Sequence, residues 1–560
     1  MNRLIQIYCK NTGRYLEVEG GTTLEEIARR EETGLDFNPI CALANNKCEN
    51  LSFEIFSPKE VEFLDARSSV GRDVYVRSLC MIAYKALNQL DASLVIRFEH
   101  SMAKGHFCRI FNRDMKPYPV SQEFAAALLS LMQDLVKRDL PFERYEKRTD
   151  DVIDLFRKQH LNDKAELLET ISEIYTTYYV LDGLADSFYG PLAPSTGSIG
   201  VFDLIAWQDG LLMLGPDLNN PDMPAQPVTQ QKMYHAFTEH LLFNRVIRVA
   251  SVGELNRAVE RRQSAQLINV AEAMHNKLIG RIADDIQKRR QKGGASVVFI
   301  AGPSSSGKTT TSKRLAIQLM TNLITPKVIS LDDYFINRED TPRDETGDYD
   351  FESLYALDLD LFNADIRALL AGKEINLPTY SFELGRRVKK SRPLRLERND
   401  VLIVEGIHGL NPELTASIPQ EHVFKMYVSA LTTLRIDNHN WIPTSDNRLL
   451  RRIVRDNKYR HTRPEETIRR WPSVRRGEEK WIFPFQENAD ATFNSSLLFE
   501  IGVMKPYAQP LLETVPHNVA EYTTAYRLLR FLKNFRSIPE ADVPSTSLLR
   551  EFLGGSSFHY

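Results

Sequence analysis

The C-terminal half of the chain is predicted to be α/β, a parallel sheet flanked by helices, preceded by two smaller α+β regions. Three observations carry this expectation. Short, mostly apolar runs at 297–300, 328–331 and 401–404 have the length and continuity of strands buried on both faces. The first passes through a glycine- and serine-rich turn into Thr310-Thr311-Ser312-Lys313-Arg314-Leu315-Ala316-Ile317, so strand, loop and helix follow in the order of a βα unit. The first 65 residues instead form short alternating runs broken at Asn11-Thr12-Gly13 and Gly20-Gly21, the pattern of a hairpin.

The bulk composition sets limits. A chain of 560 residues exceeds what one hydrophobic core organises, so two to four domains are expected. With 42% hydrophobic and 26% charged residues it reads as an ordinary soluble globular protein, and a net charge of −3 argues against wholesale coating of nucleic acid. No apolar stretch approaches the roughly 18 residues that span a bilayer, and Met1-Asn2-Arg3-Leu4-Ile5-Gln6-Ile7 lacks a signal-peptide core. A cytoplasmic protein without a membrane partner is expected. Cys9, Cys41, Cys48, Cys80 and Cys108 match no zinc spacing and read as reduced structural thiols.

Taken in order, residues 4–8 and 15–18 alternate as strands, and Thr22 or Thr23 caps a short helix over 24–28, with Glu25 or Glu26 completing a capping box. Strands at 40–44 and 61–64 follow, which together describe a small ubiquitin-like α+β module. This order over residues 1–65 resembles the TGS domain at the start of threonyl-tRNA synthetases. An amphipathic helix over 75–87, a strand over 94–101 and a turn at Lys104-Gly105 come next, so residues 66–220 resemble the second additional domain of those synthetases. There an H-x-x-x-H helix supports editing. Here Ser78, Ile82 and Lys85 stand at those positions, so no metal or hydrolytic editing centre is expected, and His100 and His106 read as ordinary residues. The resemblance also leaves RNA open as a partner of this half.

Prolines and glycines at 191–200 and 215–227 mark a boundary. Residues 221–290 are helical by pattern and read as a linker into the 291–500 domain, one on which two copies could also meet as a homo-oligomer. Residues 501–560 form a helical extension, periodic over 519–535, expected to pack on the 291–500 domain and to finish in a polar, mobile end.

The turn after 297–300 reads Gly302-Pro303-Ser304-Ser305-Ser306-Gly307-Lys308-Thr309, which fits G-x-x-x-x-G-K-[ST]. Glycines let the backbone wrap a polyphosphate such as that of ATP, the amides through Thr310 and the helix N-terminus face the anion, and Lys308 reaches the β/γ-phosphates. Thr309 is placed to hold Mg²⁺ through its hydroxyl. The second strand ends in Asp332-Asp333, and the third in Glu405-Gly406-Ile407. Acids at the carboxyl ends of parallel strands lie beside the ligand crevice, where one aspartate can take the proton of an attacking hydroxyl and Glu405 can orient Mg²⁺. Downstream, Arg448, Arg452 and Arg455 share one face of a helix, with Arg460 and Arg463 following, a cluster able to clamp a transferring phosphoryl group.

These motifs together resemble the uridine kinase and phosphoribulokinase family of P-loop kinases over about residues 295–500. The resemblance implies a P-loop NTPase-type sheet, ATP and Mg²⁺ as cofactors, and transfer to the 5′-hydroxyl of a nucleoside, uridine or cytidine in pyrimidine salvage. Asp332-Asp333-Tyr334-Phe335 stands where the family has D-S-F-Y, which makes Asp332 the catalytic base. Tyr349-Asp350-Phe351-Glu352 stands for F-D-H-P, which gives Asp350 the ribose. Tyr380, Phe382 and Arg386 fall on the base-pocket motif, whose histidine is missing near Gly385. The family's R-x-x-R-R-x-x-R-D is matched in full from Arg448 to Asp456, carrying over Arg452 and Arg455, with Arg460 as a further lid residue. The other readings are a different nucleoside or a sugar phosphate as acceptor, or an RNA- or nucleotide-responsive regulator that uses this domain as a switch.

Overall fold

The computed structural model describes residues 4–31, 33–345, 347–390 and 392–559. The amino-terminal unit is a mixed five-stranded sheet in the order Arg14–Glu19, Leu4–Cys9, Glu60–Leu64, Cys41–Ala44, Lys47–Glu49. Its outer hairpin is antiparallel, while Leu4–Cys9 runs parallel to Glu60–Leu64. The helix Leu24–Arg30 starts where Thr23 and Glu26 form a reciprocal capping box, which satisfies two amides that the helix itself cannot. Ile7, Val18, Leu24, Ile27, Val61 and Phe63 make the core of this unit.

The next region wraps the long helix Ser69–Leu90 and the helix Gln122–Lys137 onto an antiparallel sheet ordered Asp203–Trp207, Gly210–Leu214, Gly105–Asn112, Leu94–Met102. Ser78 and Lys85 serve the scaffold. The Ser78 hydroxyl accepts the Ala193 N–H, and the Lys85 ammonium donates to the Asp182 carbonyl at 2.6 Å.

Helices Gln231–Val246, Val252–Glu260 and Ser264–Gln291 lead into the carboxyl-terminal half. They are built into its core. Ile279, Ile282, Ala283 and Ile286 pack with Val298, Ile300, Leu315 and Phe424, and Arg314 pairs with Glu272 at 3.3 Å. The sheet there has five parallel strands in the order Thr325–Ser330, Asp400–Glu405, Val297–Ala301, Val423–Ser429, Ala491–Asn494. Its three central strands are buried on both faces, which is why their sequences are continuous apolar runs rather than alternating ones.

Two contacts matter for the site. The N-terminal half docks on the segment between Val423–Ser429 and the helix Thr444–Arg460: buried Lys164 bridges Asp186 at 2.9 Å and Asp437 at 3.0 Å, and the His100 imidazole bonds the Thr444 hydroxyl at 2.8 Å. His100 is therefore a domain-contact residue at the head of the arginine helix. The C-terminal extension is docked on this half: Leu548 and Phe552 join the core beside Val298 and Ile300, and Leu549 is also fully buried. Its residue 560 lies outside the described ones. Among the described residues no helix is long and apolar enough to cross a membrane.

Candidate active site

Strand Val297–Ala301 delivers the chain into the loop at residues 302–307, and helix Lys308–Thr321 follows. Two glycines are dictated by space. A Cβ at Gly302 would stand 2.0 Å from the Val428 carbonyl oxygen, and Gly307 has φ of +86° with Leu548 of the tail packed against it. Ser305 takes a left-handed φ of +58°, which turns the loop back over the helix N-terminus. The Lys308 ammonium folds onto the Pro303 carbonyl at 3.2 Å. Burial lowers its pKa, and Glu405, Asp332, Glu352 and Glu551 work in the opposite direction.

The two neighbouring strand ends bring their acids to the same place. Glu405 accepts the Thr309 hydroxyl at 3.4 Å and the Ser330 hydroxyl at 3.2 Å. Burial, then the nearby Asp332, push the Glu405 carboxyl up to about 7. Asp332 is raised by burial while Lys308 and Arg460 pull it down. Asp333 turns away to Arg392 at 2.8 Å, so of the two aspartates Asp332 is the one that faces Lys308. The hydroxyl of Thr309 and the carboxylate of Glu405 are hard oxygen donors, side by side at the helix N-terminus, and fit Mg²⁺, which takes one or two protein ligands and completes its shell with phosphate and water. Among the described residues there is no cluster of three or more His, Cys, Asp or Glu side chains arranged as a complete metal cage.

The arginine helix Thr444–Arg460 divides its cations between two tasks. Arg448 and Arg451 are completely buried and hold the back of the loop: Arg448 donates to the Ser304 carbonyl at 2.9 Å and pairs with Glu478, and Arg451 donates to the Ser305 carbonyl at 3.3 Å and pairs with Glu500. Arg452 reaches the Ser304 hydroxyl at 2.9 Å. Arg455 is held by Asp456 at 2.9 Å, and Arg460 meets the same carboxylate at 3.5 Å; both act on Asp332. Arg463 instead pairs with Glu465 at 2.7 Å.

On the acceptor side Tyr380, Phe382 and Phe335 form an aromatic group with ring centroids 5.1–5.6 Å apart. Tyr380 is buried and Phe382 is half exposed. Arg386 lies exposed on the short hairpin that pairs Tyr380–Ser381 with Arg386–Arg387, while the adjacent Arg387 is fixed by Asp358 at 3.0 Å and the Tyr334 carbonyl at 3.1 Å. At Gly385, φ is +65° and a Cβ would meet the Arg338 side chain at 2.9 Å, so Arg338 fills the space beside the glycine. Asp350 accepts the Glu352 N–H at 3.1 Å within its own turn.

Comparison with known proteins matches the same segment of the chain. The model of the phosphoribulokinase / uridine kinase family matches residues 297–497. A uridine kinase of Halobacterium salinarum is 30% identical over 195 residues, 34% of this chain and 77% of that protein. The chain belongs to the phosphoribulokinase / uridine kinase family. A uridine kinase of Brevibacillus brevis is 28% identical over 199 residues, 35% of this chain and 84% of that protein. A solved structure titled a possible uridine kinase, from Bacillus stearothermophilus, shares 22% identity over 36% of this chain and 89% of that chain, with a TM-score of 0.25.

This member of the phosphoribulokinase / uridine kinase family is thus an enzyme whose kinase domain occupies the carboxyl-terminal half. Several residues at its centre carry no sequence signal. Glu478 accepts the Ser304 N–H at 3.1 Å from helix Pro464–Trp481, and Glu551 accepts the Thr310 N–H and hydroxyl at 3.3 and 2.6 Å from the tail. Arg451 is marked only by its place in the arginine run.

Proposed function

We propose that the protein catalyses ATP-dependent phosphorylation of a nucleoside 5′-hydroxyl, uridine or cytidine first among acceptors. The observation that carries this reading is the convergence of Lys308, Asp332 and Glu405 from three adjacent strand ends on one glycine-rich loop, with Arg452, Arg455 and Arg460 closing from the facing helix. The loop amides and Lys308 hold the β/γ-phosphates, and Thr309 and Glu405 hold Mg²⁺, which when bound neutralises phosphate charge. Asp332 receives the proton of the acceptor hydroxyl. That oxygen forms its bond to the γ-phosphorus as the bond to the β–γ bridging oxygen breaks, leaving ADP with the electron pair. The lid arginines stabilise charge on the equatorial oxygens.

Tyr380 and Phe382 offer faces for a base to stack on, with Arg386 at the rim. The relatives named uridine kinase support the nucleoside class, while Gly385 with Arg338 beside it replaces the expected histidine, which keeps another nucleoside open. The mixed sheet with its capped helix supports the TGS-like reading of the first unit, and the helix-on-sheet region after it the synthetase-like one. A cytoplasmic location belongs to the same proposal. Incubation of the purified protein with Mg-ATP and a panel of nucleosides and sugar monophosphates, with Lys308→Ala as control, tests it. Phosphorylated uridine or cytidine from the wild type alone is the expected result, and no product from any acceptor rejects the reading.

A further inference from the structure

The three-stranded sheet ordered Glu143–Arg148, Tyr175–Leu181, Leu184–Asp186 ends in an open edge. All six residues of Glu143–Arg148 are exposed, and among the described residues no strand pairs with its outer side. One end of that edge is taken, because Phe142 donates its N–H outward to the Pro194 carbonyl at 3.2 Å. On the inner side Thr149 donates to the Ile174 carbonyl at 2.9 Å, one step past the pair Arg148 and Tyr175. Strand alternation then turns the backbone N–H and C=O of Tyr145 and Lys147 inward, and those of Arg144 and Glu146 outward.

An open edge is a template for another strand, and proteins commonly blunt it with charge. Here the charges are arranged to pair. Turned over on a two-fold axis at Tyr145, the strand meets its own copy with Glu143 opposite Lys147, Arg144 opposite Glu146, and Tyr145 opposite Tyr145. Each charged pair occurs twice, and no like charges are opposed. The same register brings the outward backbone groups of Arg144 face to face with those of Glu146, so the two residues exchange N–H···O=C bonds in both directions. An axis at Arg144, Glu146 or Lys147 would instead oppose a charge to itself. Among the described residues Glu143, Arg144, Glu146 and Lys147 form no ion pair within their own chain, whereas the adjacent Arg148 pairs with Asp150 at 3.7 Å. Ile174 and Tyr175, 74% and 60% exposed at the start of the inner strand, add apolar surface beside the edge.

We propose that this edge is a self-association surface: two copies of the chain join Glu143–Arg148 antiparallel about a two-fold axis at Tyr145, merging two three-stranded sheets into one of six strands. A seam of one short strand is small beside the roughly 1,600 Å² of a standard interface, so a dissociation constant of about 1–50 μM is expected.

Sedimentation equilibrium of the full-length protein from about 1 to 200 μM tests this. The expected result is a dimer that forms with concentration. Arg144→Glu opposes like charges at both of its pairs and should weaken the dimer about tenfold or more, as should Glu146→Arg. The double variant Arg144→Glu/Glu146→Arg restores the alternation and should return the dissociation constant to within about threefold of wild type. A protein that stays monomeric throughout overturns the proposal, and leaves the charges as a guard against edge pairing. A dimer that either single reversal weakens by less than about twofold, or that the double variant fails to recover, overturns it too, because the copies then meet on another face. Thermal melts show whether each variant folds. If a reversal does not, Tyr145→Cys decides: on the axis, at a pair of the non-hydrogen-bonded kind, the two Cβ atoms would lie about 4.5 Å apart, within reach of a disulfide. Mild oxidation should then link that variant, and not the wild type, into a covalent dimer; no link specific to the variant overturns the proposal.

Discussion

The carboxylate of Glu478 accepts the backbone N–H of Ser304 at 3.1 Å, tying the helix Pro464–Trp481 to the phosphate loop from across the site. The same buried side chain pairs with Arg448 and, at 3.1 Å, with Arg475. Removing it leaves the fully buried Arg448 guanidinium without its counter-ion and a loop amide without its acceptor. Breaking a buried pair of this kind costs about 3–5 kcal/mol. Glu478→Ala is therefore expected to lower the melting temperature by several degrees and to weaken ATP binding, measured by thermal melts and nucleotide titration. A variant that melts with the wild type would show that the contact is dispensable.

Lys308→Ala and Asp332→Asn separate the chemistry from the fold. Asp332 faces Lys308 and the lid arginines, the position for taking a proton from an acceptor, and general-base catalysis is worth about 10²–10⁴-fold. Asp332→Asn should lower kcat by that range while thermal melts and ATP KM stay near wild type. Retention of more than about one tenth of the wild-type kcat would remove Asp332 from the role.

The strand ends that carry Lys308 and Glu405 are readable in the sequence because a strand buried on both faces is a continuous apolar run, and the residue that ends it is placed by the sheet. The run at 328–331 before Asp332 differs from that expectation: it closes Thr325–Ser330, the edge strand of the sheet, where Ile329 is buried and Val328 is exposed. The arginine helix is readable as a helix, but its 3.6-residue period does not say which face meets the loop. The helical spacing groups Arg448 with Arg452 and Arg455, yet Arg448 lies buried behind the loop with Arg451. Glu352, Glu478 and Glu551 are harder still. Each is an acid in a polar turn, helix or tail, the pattern of a solvated residue, and each is drawn inside by tertiary packing: Gly477 opening space for Glu352, Arg448 pairing with Glu478, and Leu548 and Phe552 burying the segment that carries Glu551.

Glu405 predicts a pH dependence. With its carboxyl pushed up to about 7, it is largely protonated at pH 6 and cannot serve a cation until the proton leaves. The Mg²⁺ concentration giving half-maximal activity should fall as pH rises from 6 to 8, and Glu405→Gln should flatten that trend. The stability effect has the opposite sign. The folded state holds this proton more tightly than the unfolded one, so its contribution is present below the ordinary carboxylate range and lost as pH rises through about 7. Without Mg²⁺, Glu405→Gln should melt above the wild type at pH 8. Magnesium titrations and melts at pH 6, 7 and 8 check both; equal Mg²⁺ requirements at pH 6 and 8 would contradict the first.

Glu551 of the tail occupies donors that a nucleotide phosphate would use. Its Oε2 takes both the N–H and the hydroxyl of Thr310, on the first turn of the helix that follows the loop. A carboxylate there stabilises the helix N-terminus, and competes with and repels an incoming anion. Glu551→Gln should lower the ATP KM by about two- to fivefold, the worth of one charge at a helix N-terminus, with a slightly lower melting temperature. An unchanged or raised ATP KM would mean that the carboxylate moves aside at no cost or assists binding.

Lys164 joins the two halves of the chain. It is completely buried, bridges Asp186 and Asp437, and donates to the Ser187 carbonyl at 2.9 Å. Burial works against its charge, yet the aspartates hold its pKa above the ordinary lysine value, so the ammonium stays charged across the working pH range. Asp437 also fixes the turn before the lid helix by accepting the His439 backbone N–H at 2.8 Å and the Asn440 side-chain amide at 2.9 Å. Lys164→Met leaves two buried carboxylates facing each other, a loss of about 3–5 kcal/mol on the N-terminal side, and it frees the turn that seats the lid on the other. The variant should therefore lose thermal stability in both halves together, and kcat as well, although the Lys164 ammonium bonds Asp186, Ser187 and Asp437 and not the phosphate loop. Adding Asp437→Asn should recover part of the stability, because one unpaired charge is removed, without restoring the lid turn or kcat. If Lys164→Met lowers the melting temperature but leaves kcat at the wild-type value, the bridge holds the halves together without positioning the lid.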